Sequence, residues 1–439
     1  MADSDTSPFP CRPRALADAL DALRAKLHGT QLPGHEISVA EALICRDRQL
    51  EDEALLVLSP DLLAIEALIR DDGRFPTQVL AMASIHGCSG IFPYAADRSL
   101  VVRALKTTGE EAIAWYLKVL ATSSASGVYI HALWGVDIPS RIQLTDDLAL
   151  VPVSELPESW QRTSLNFRPL HWGPASMSGF AWMNPPTTAL VAQHVLDPLI
   201  LVLVQPPELN MDATTRLIQK VDDATLCLTT IGPRAPLLAM AWWEFDDADI
   251  RDADRMRSGS FGQSIEIVPR IGQTFPTLEA GLAIEMVGGF QRMEPKSQAR
   301  ARLALQRLGQ ALRRHGLGDK AIELAIALET LTADGDANEV SHKVKVRATK
   351  ILGGDAAARE RNAKLIAETY NIRSKQMHTG SFDASKPRTV AGASLTPAEI
   401  LEQTASLCAD LIVAMIRRGS IPTWAAFDID AEAVHANRH

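Results

Sequence analysis

The sequence predicts an α+β protein in which a mixed, β-rich N-terminal domain, residues 1–290, precedes an all-α, up-and-down helical bundle, residues 291–439. Before about residue 290, short apolar runs bounded by turn residues are typical of strands. After Pro295, apolar residues recur at helical spacing between helix-start and helix-stop signals. The chain has 439 residues, 46% of them hydrophobic, which is enough for two or three domains with sizeable cores.

The N-terminal domain is predicted to contain more strands than helices. Helices are predicted over residues 14–27 and 110–122, where apolar residues repeat at helical spacing. Strands are predicted over residues 127–136, 141–144, 148–153, 199–204, 237–243 and 264–268. No motif in these elements indicates what the domain does.

The helical bundle is predicted to begin after the pair Gly288–Gly289, because glycine interrupts helices and Pro295 follows. The last helix has the clearest start, since Thr396 and Glu399 form a capping box around Pro397. Short connections between long helices predict an up-and-down arrangement. The five predicted helices are one with Leu305, Leu308 and Leu312 that ends at His315–Gly316, one with Ile322, Ile326 and Ala333, and then residues 340–352, 356–377 and 397–418.

Composition excludes several classes of protein. The longest apolar runs, residues 199–204 and 237–243, are far shorter than the ~20 residues that span a bilayer. The five cysteines are scattered singly, which argues against a zinc site and against a disulfide framework. The acidic run over residues 244–254 lacks the spacing and glycine of a calcium loop. With no targeting segment in residues 1–13, we expect a cytoplasmic protein that has no membrane segment and needs no metal or other cofactor.

The net charge of -9 conceals a division along the chain. Between Lys296 and His378, sixteen Lys and Arg stand against nine Asp and Glu, so this segment carries +7 and the remainder carries -16. A basic segment of this kind is suited to neutralising the phosphates of a nucleic acid. Solvated helix faces explain each of these cations equally well.

The most informative stretch of the chain is residues 370–380. Tyr370, Arg373 and Met377 continue the helical stripe of Ile366, so the stripe places an arginine on an apolar seam, and His378 follows just before the helix must stop. Arginine is rarely buried without a partner. Two interpretations remain open: a metal-free RNA-cleaving pair, or a structural ion pair with a capping histidine.

The sequence Arg373-x4-His378, preceded by Tyr370 and followed by Thr379 and Gly380, resembles the Arg-x4-6-His signature of HEPN domains. The resemblance is greatest to the Apea-like HEPN family, and it covers about residues 295–424. Other similar segments are Ala327–Glu329, Glu339–Arg347 with Ala348, and Arg417–Gly419. The sequence departs from the family at Ser374, where HEPN nucleases often carry Asn, Asp or His.

The resemblance implies a helical domain that dimerises, so that two copies of the motif meet in one cleft, as in HEPN ribonucleases of toxin and antiviral defence systems. It assigns His378 as general acid or base and Arg373 as the cation that stabilises charge on the phosphate. Lys375 is expected to be a secondary phosphate contact, with Ser374 and Tyr370 as supporting residues. By analogy with such systems, the N-terminal domain is expected to sense a phage-derived trigger.

The residues themselves support this chemistry and also set a geometric condition. RNA carries its 2′-hydroxyl beside the scissile phosphate, so cleavage needs an acid or base and a cation, which histidine and arginine supply. Residues five apart on an unbroken helix are separated by about 140° of rotation. Arg373 and His378 therefore converge only across a dimer, or where the helix breaks near Gln376.

The function of the helical part and the roles of two residue pairs remain open at this point. The helical part could bind RNA or a nucleotide as a non-catalytic, dimerising regulator, and Ser374 favours that reading. Glu329, which follows Ile326 on its helical stripe, is expected either to orient Arg373 or to form a purely structural ion pair with it.

Glu339 and Lys343 resemble a Glu-x3-Lys element of some HEPN domains, and are as readily explained as a surface salt bridge.

Overall fold

The computed structural model describes residues 14–45, 48–85, 87–165, 185–203, 212–253, 259–261, 276–334 and 339–429. The strand predicted at residues 264–268 lies outside this part of the chain. Helices and sheets are both present, so the chain is an α+β protein as predicted. Among the helices that the structure describes, none has the length and apolar composition needed to cross a bilayer.

The part before residue 291 alternates helices with strands. Its elements are α1 Ala15–Gly29, α2 Val39–Ile44, α3 Arg48–Asp71, β1 Leu80–Ser84, β2 Gly87–Phe92, α4 Ala96–Ala104, α5 Gly109–Leu120, β3 Ala125–Trp134, β4 Ile142–Thr145, β5 Leu148–Pro152, α6 Trp160–Ser164, β6 Thr188–Leu196, β7 Ile200–Val202, α7 Asp212–Cys227, β8 Leu237–Phe245, α8 Ala248–Ala253, β9 Gly259–Phe261 and α9 Ala280–Gln291. Helices cover more of these residues than strands do. The prediction that strands dominate this domain was therefore wrong. The predicted helices α1 and α5 and the predicted strands β3, β4, β5, β7 and β8 are nevertheless present.

A six-stranded antiparallel sheet, in the order β4-β5-β6-β3-β8-β9, is the centre of this part. Successive side chains of a strand point to opposite faces, and both faces of this sheet are buried. Tyr129 and Leu133 of β3 join the main core, whereas Val128 and Ile130 join a second cluster around Trp242 of β8. A smaller sheet, in the order β2-β1-β7, packs into the main core.

The described residues after 294 form five long helices, one short hairpin and a short final helix. Their elements are α10 Pro295–Arg313, α11 Leu317–Thr332, α12 Val340–Leu352, α13 Ala356–Thr379, β10 Arg388–Val390, β11 Ala393–Leu395, α14 Pro397–Arg418 and α15 Trp424–Ile429. The five helices predicted here are present, and the capping box at Thr396 and Glu399 is formed. The antiparallel pair β10–β11 departs from the prediction of an all-α part.

The glycine pair predicted to mark the domain boundary does not interrupt a helix. Gly288 and Gly289 lie inside α9, and a Cβ on Gly289 would come within 2.7 Å of the Ile416 side chain on α14. Glycine is used here for close helix approach, which outweighs its low helix propensity. Helix α9 therefore belongs to the contact between the two parts of the chain.

Two ion pairs tie the earlier part of the chain to the later helices. Arg302 of α10 donates to both carboxylate oxygens of Asp223 on α7, over 2.5 and 2.7 Å. Arg417 of α14 makes a similar two-point contact with Glu285 of α9, over 2.7 and 3.0 Å. Asp223 is buried whereas Glu285 is exposed, so the first pair has the greater effect on stability.

Replacing Arg302 with methionine should lower the free energy of unfolding by roughly 1–3 kcal/mol, because it leaves the buried Asp223 carboxylate without its cation. Methionine keeps apolar contact with Phe290, over which the Arg302 guanidinium lies. The double variant Arg302→Met/Asp223→Leu should recover most of the loss. Urea titration followed by circular dichroism measures both, and a cost below about 0.5 kcal/mol for the single variant would contradict the argument.

Candidate functional site

The residues singled out by the sequence lie on α13, which continues unbroken through the whole motif. Asp355 caps its N-terminus by accepting a hydrogen bond from Ala358 N over 2.7 Å, and Gly380 ends it in the left-handed conformation with φ 69°. The amide of Gly380 donates to the carbonyl of Gln376 over 3.1 Å. The break near Gln376 that would bring Arg373 and His378 together in one chain is therefore absent.

Glu329 of α11 receives hydrogen bonds from two side chains of α13. Arg373 Nη1 donates to Glu329 Oε1 over 2.7 Å, and Tyr370 Oη donates to the same oxygen over 2.9 Å. The contact expected between Glu329 and Arg373 is thus present. The Arg373 side chain remains 32% exposed and that of Glu329 24% exposed, so the pair is accessible to an incoming anion.

Tyr370 completes this small network, and the sequence did not indicate its contact with Glu329. The guanidinium of Arg373 lies 5.6 Å from the centre of the Tyr370 ring, where a cation is attracted to the ring face. Burial, and then the Glu329 carboxylate, raise the pKa of Tyr370 above its ordinary value. Tyr370 therefore stays protonated at neutral pH and acts as a hydrogen-bond donor.

His378 lies on a different side of α13 from the Glu329 network. It is exposed in the last turn of the helix, as are its neighbours Ser374 and Lys375. Met377 was predicted to continue the apolar seam, but it is 64% exposed. The seam ends at Arg373 because the side chains of the last turn are exposed, although Gln376 still packs against Gly318 of α11.

Several cations of the basic segment serve the fold. Arg347, only 2% exposed, donates to the Thr332 carbonyl, to Asp334 and to Asp428, and it lies over the Trp424 ring. Arg300 donates to carbonyls at the C-terminal end of α11. The segment's net charge of +7 therefore overstates the charge that faces solvent.

The element Glu339 to Lys343 also has a structural explanation. Glu339 precedes α12 with a positive φ of 55°, and Lys343 Nζ lies 3.3 Å from Asp334. Glu339 and Lys343 therefore lie at the start of α12, where Lys343 pairs with Asp334. Their resemblance to a Glu-x3-Lys element stays a prediction.

The acidic run over residues 244–254, which lacks the pattern of a calcium loop, makes ion pairs with α4. Arg103 contacts Asp249 over 3.1 Å and Asp252 over 3.3 Å. Asp254 lies outside the described residues. Within the described ranges, no three His, Cys, Asp or Glu side chains are grouped so that they could hold a metal ion.

A scan against protein-family models, a search of curated proteins and a search of solved structures each found no match to this chain.

Replacing Glu329 with alanine should destabilise the protein by roughly 1–3 kcal/mol, because it removes the acceptor shared by Tyr370 and Arg373 and leaves the Tyr370 hydroxyl unsatisfied. Arg373→Ala should cost only about 1 kcal/mol, since the ion pair is partly exposed and Tyr370 still binds Glu329. Glu329→Gln, which keeps an acceptor oxygen, is the matched control and should fall between them. Thermal unfolding of the three variants tests this order. A loss for Arg373→Ala equal to that of Glu329→Ala would contradict it.

Proposed function

We propose that this protein is a metal-independent endoribonuclease of the HEPN type, which acts as a homodimer in the cytoplasm in antiviral defence or toxin-like RNA cleavage. The observation that carries the proposal is the arrangement of α13. One exposed histidine, His378, and one oriented arginine, Arg373, lie within a turn and a half at the end of a rigid helix. These are the two groups that RNA cleavage by the 2′-hydroxyl requires.

In this mechanism the 2′-oxygen attacks the adjacent phosphorus, and the bond from phosphorus to the 5′-oxygen breaks. His378 takes the proton of the 2′-hydroxyl or gives a proton to the leaving 5′-oxygen, and water supplies or takes the other proton. Arg373 stabilises the negative charge that develops on the phosphate oxygens. The products are a 2′,3′-cyclic phosphate and a 5′-hydroxyl. Glu329 and Tyr370 hold Arg373 in one orientation, while Lys375, exposed one turn before the helix ends, contacts the RNA backbone.

Dimerisation follows from the geometry of this proposal. Because α13 is unbroken, Arg373 and His378 of one chain point about 140° apart. A second copy of α13, related by a two-fold axis, brings the Arg373 of one chain to the His378 of the other. The exposed Met377 lies between these two residues in sequence and provides apolar surface for such a contact.

The part before residue 291 is proposed to sense a phage-derived trigger. Ion pairs and close helix packing connect it to α10 and α14. A change in that part is therefore in a position to alter the packing of the helices that carry the site.

A second candidate function is non-catalytic binding of RNA or a nucleotide. The observation that favours it is the neutralisation of Arg373 by Glu329, together with the separation of Arg373 from His378 in a single chain. Ser374, in place of the residues common in HEPN nucleases, points the same way. Binding that depends steeply on salt, with the RNA left intact, distinguishes this function from cleavage.

Incubation of the purified protein with total cellular RNA in EDTA should produce fragments with 2′,3′-cyclic phosphate and 5′-hydroxyl ends. Changing His378 or Arg373 to alanine should slow cleavage by roughly 100- to 1,000-fold, because each change removes a group used in the transition state. His342→Ala and Arg361→Ala are matched controls, since His342 is exposed on α12, Arg361 is exposed on α13, and both lie outside the motif. Mapping of the RNA ends gives the readout.

Full activity in folded His378→Ala protein would end the proposal. Intact RNA with every protein would leave either a missing trigger or the binding function. Repeating the assay with protein from cells that are challenged with phage separates a missing trigger from the binding function.

Mixing the two inactive variants should restore activity if the site is shared between chains. In a dimer of one Arg373→Ala chain and one His378→Ala chain, one of the two composite sites keeps both residues. Random exchange of subunits should therefore recover about a quarter of wild-type cleavage. Mixing wild type with the double variant Arg373→Ala/His378→Ala is the control: its mixed dimers contain no complete composite site, so its wild-type homodimers alone should give about a quarter of wild-type cleavage, against about half if each chain uses its own pair. No recovery in the first mixture would show that each chain uses its own pair.

A further inference from the structure

Helix α3 has apolar residues on two opposite sides. Its inner side is packed in the main core, where it buries Ala54, Leu58, Ile65 and Ile69. Its outer side carries Leu56 and Leu63, whose exposed fractions are 75% and 68%. The solvent-facing side of a surface helix is normally polar. Helix α3 therefore has the composition of a helix that packs against neighbours on both sides.

The exposed apolar residues of α3 follow a regular spacing. Steps of four, three and four residues separate the members of this outer stripe, all of which are exposed. They are Leu56, Pro60, Leu63 and Ala67. This is the spacing of the a and d positions of a coiled coil, in which one helix packs along another. The partner that fits the outer stripe is therefore a second helix that lies along α3.

The outer stripe is complementary to itself when a second copy runs in the opposite direction. About a two-fold axis midway between Pro60 and Leu63, Leu56 of one helix would lie opposite Ala67 of the other, and Leu63 opposite Pro60. Each layer would pair one leucine with one smaller residue, which fills the space between the helices evenly. Alanine and proline also lose no rotamer entropy when they are buried.

Charged residues at the two ends of the outer stripe favour this antiparallel arrangement. The next positions, three residues beyond either end, are Glu53 and Arg70. An antiparallel pair would place Glu53 beside Arg70 of the second copy at both ends, whereas a parallel pair would place like charges together. Within one chain Glu53 contacts His35 and Gln49, and Arg70 donates to Glu66. These charges therefore set the orientation, and the apolar stripe supplies the attraction.

The residues beside the outer stripe favour a protein partner over a membrane surface. Helices that bind membranes carry Lys and Arg beside their apolar face, whereas α3 has two Arg and six Asp or Glu over its length. Ion pairs within the chain neutralise Glu51, Asp61 and Glu66. These three acids therefore do not keep a second copy of α3 away.

We propose that α3 is a self-association surface, on which the α3 of a second copy of this chain packs antiparallel along the outer stripe. The contact extends from Glu53 to Arg70, about 25 Å along the helix. Contact over one helix of this length buries less than the ~800 Å² per partner that is typical of a stable interface. Association through α3 is therefore weak and depends on protein concentration.

The contact through α3 is separate from the dimer contact proposed for α13. A chain with two different two-fold contacts joins each α13 dimer to further copies, so the protein assembles beyond a dimer as its concentration rises. The α3 contact itself depends neither on α13 nor on RNA cleavage.

Sedimentation of the full-length protein over about 1–200 µM tests the proposal. In Met377→Glu protein, a change designed to remove the α13 contact, α3 alone should produce a monomer–dimer equilibrium. Adding Leu63→Glu should weaken this dimer at least roughly 10-fold, because each buried carboxylate would face apolar surface. Leu303→Glu is the matched control, because Leu303 is an exposed leucine of α10, and its change should leave association through α3 unaltered.

Charge reversal tests the antiparallel orientation. Glu53→Arg should weaken the dimer because the new cation faces Arg70 of the second copy, and Arg70→Glu should weaken it because the new carboxylate faces Glu53. The double variant Glu53→Arg/Arg70→Glu should recover most of the association, since opposite charges meet again. Weakening in both single variants without recovery in the double variant would overturn the antiparallel arrangement.

Three results would overturn the self-association itself. One is protein that stays monomeric up to about 200 µM, or a dimer that Leu63→Glu leaves unchanged. Another is a fall of more than about 5 °C in the unfolding temperature of dilute Leu63→Glu protein, which would show that another segment of the same chain covers the stripe. The third is binding to lipid vesicles that Leu63→Glu abolishes, without self-association. If Leu63→Glu does not fold, Leu63→Gln and the charge reversal still decide.

Discussion

The burial of α14 is the constraint on which the arrangement of this protein depends. This helix is buried over most of its circumference, with Ile400, Leu411 and Met415 fully enclosed. An apolar helix of this length must be covered on several sides. Helices α10, α11, α12 and α13 cover it from the later part of the chain, while α9 and the turn after α7 cover it from the earlier part. The two parts are therefore joined by a common core as well as by ion pairs.

This packing fixes one side of α13 and leaves the other side free. Thr369 of α13 and Thr404 of α14 share a buried hydrogen bond of 2.9 Å, and Ile366 and Ile372 are fully buried. Arg373 borders this packed side, so Glu329 and Tyr370 can hold it in a single orientation. The exposed side carries His378, and its side chains contact solvent or a partner. A side chain held rigidly beside an open surface is the arrangement that a binding or catalytic site needs.

The sequence predicted best where local signals and tertiary packing agree. Helices α12, α13 and α14 each end at a glycine, and α13 and α14 also have side-chain N-caps; the observed bounds of all three match the predicted ones within two residues. It failed at α3, where Pro60 interrupts the pattern and Leu56 and Leu63 face solvent, so no single apolar stripe is visible. The pair Glu329 and Arg373 could be predicted from two apolar stripes, each carrying one charge. The bond from Tyr370 could not, because it depends on how far apart two helices pack.

The shared acceptor also explains how Arg373 can be both ordered and available. A carboxylate that accepts from Tyr370 has part of its charge compensated, so its hold on the Arg373 guanidinium is weaker than that of an unshared carboxylate. Only Nη1 of Arg373 contacts Glu329, while a guanidinium has five N–H donors. A phosphate can then bind the remaining donors without first breaking the ion pair. Orientation by Glu329 and binding of an anion are therefore compatible in one side chain.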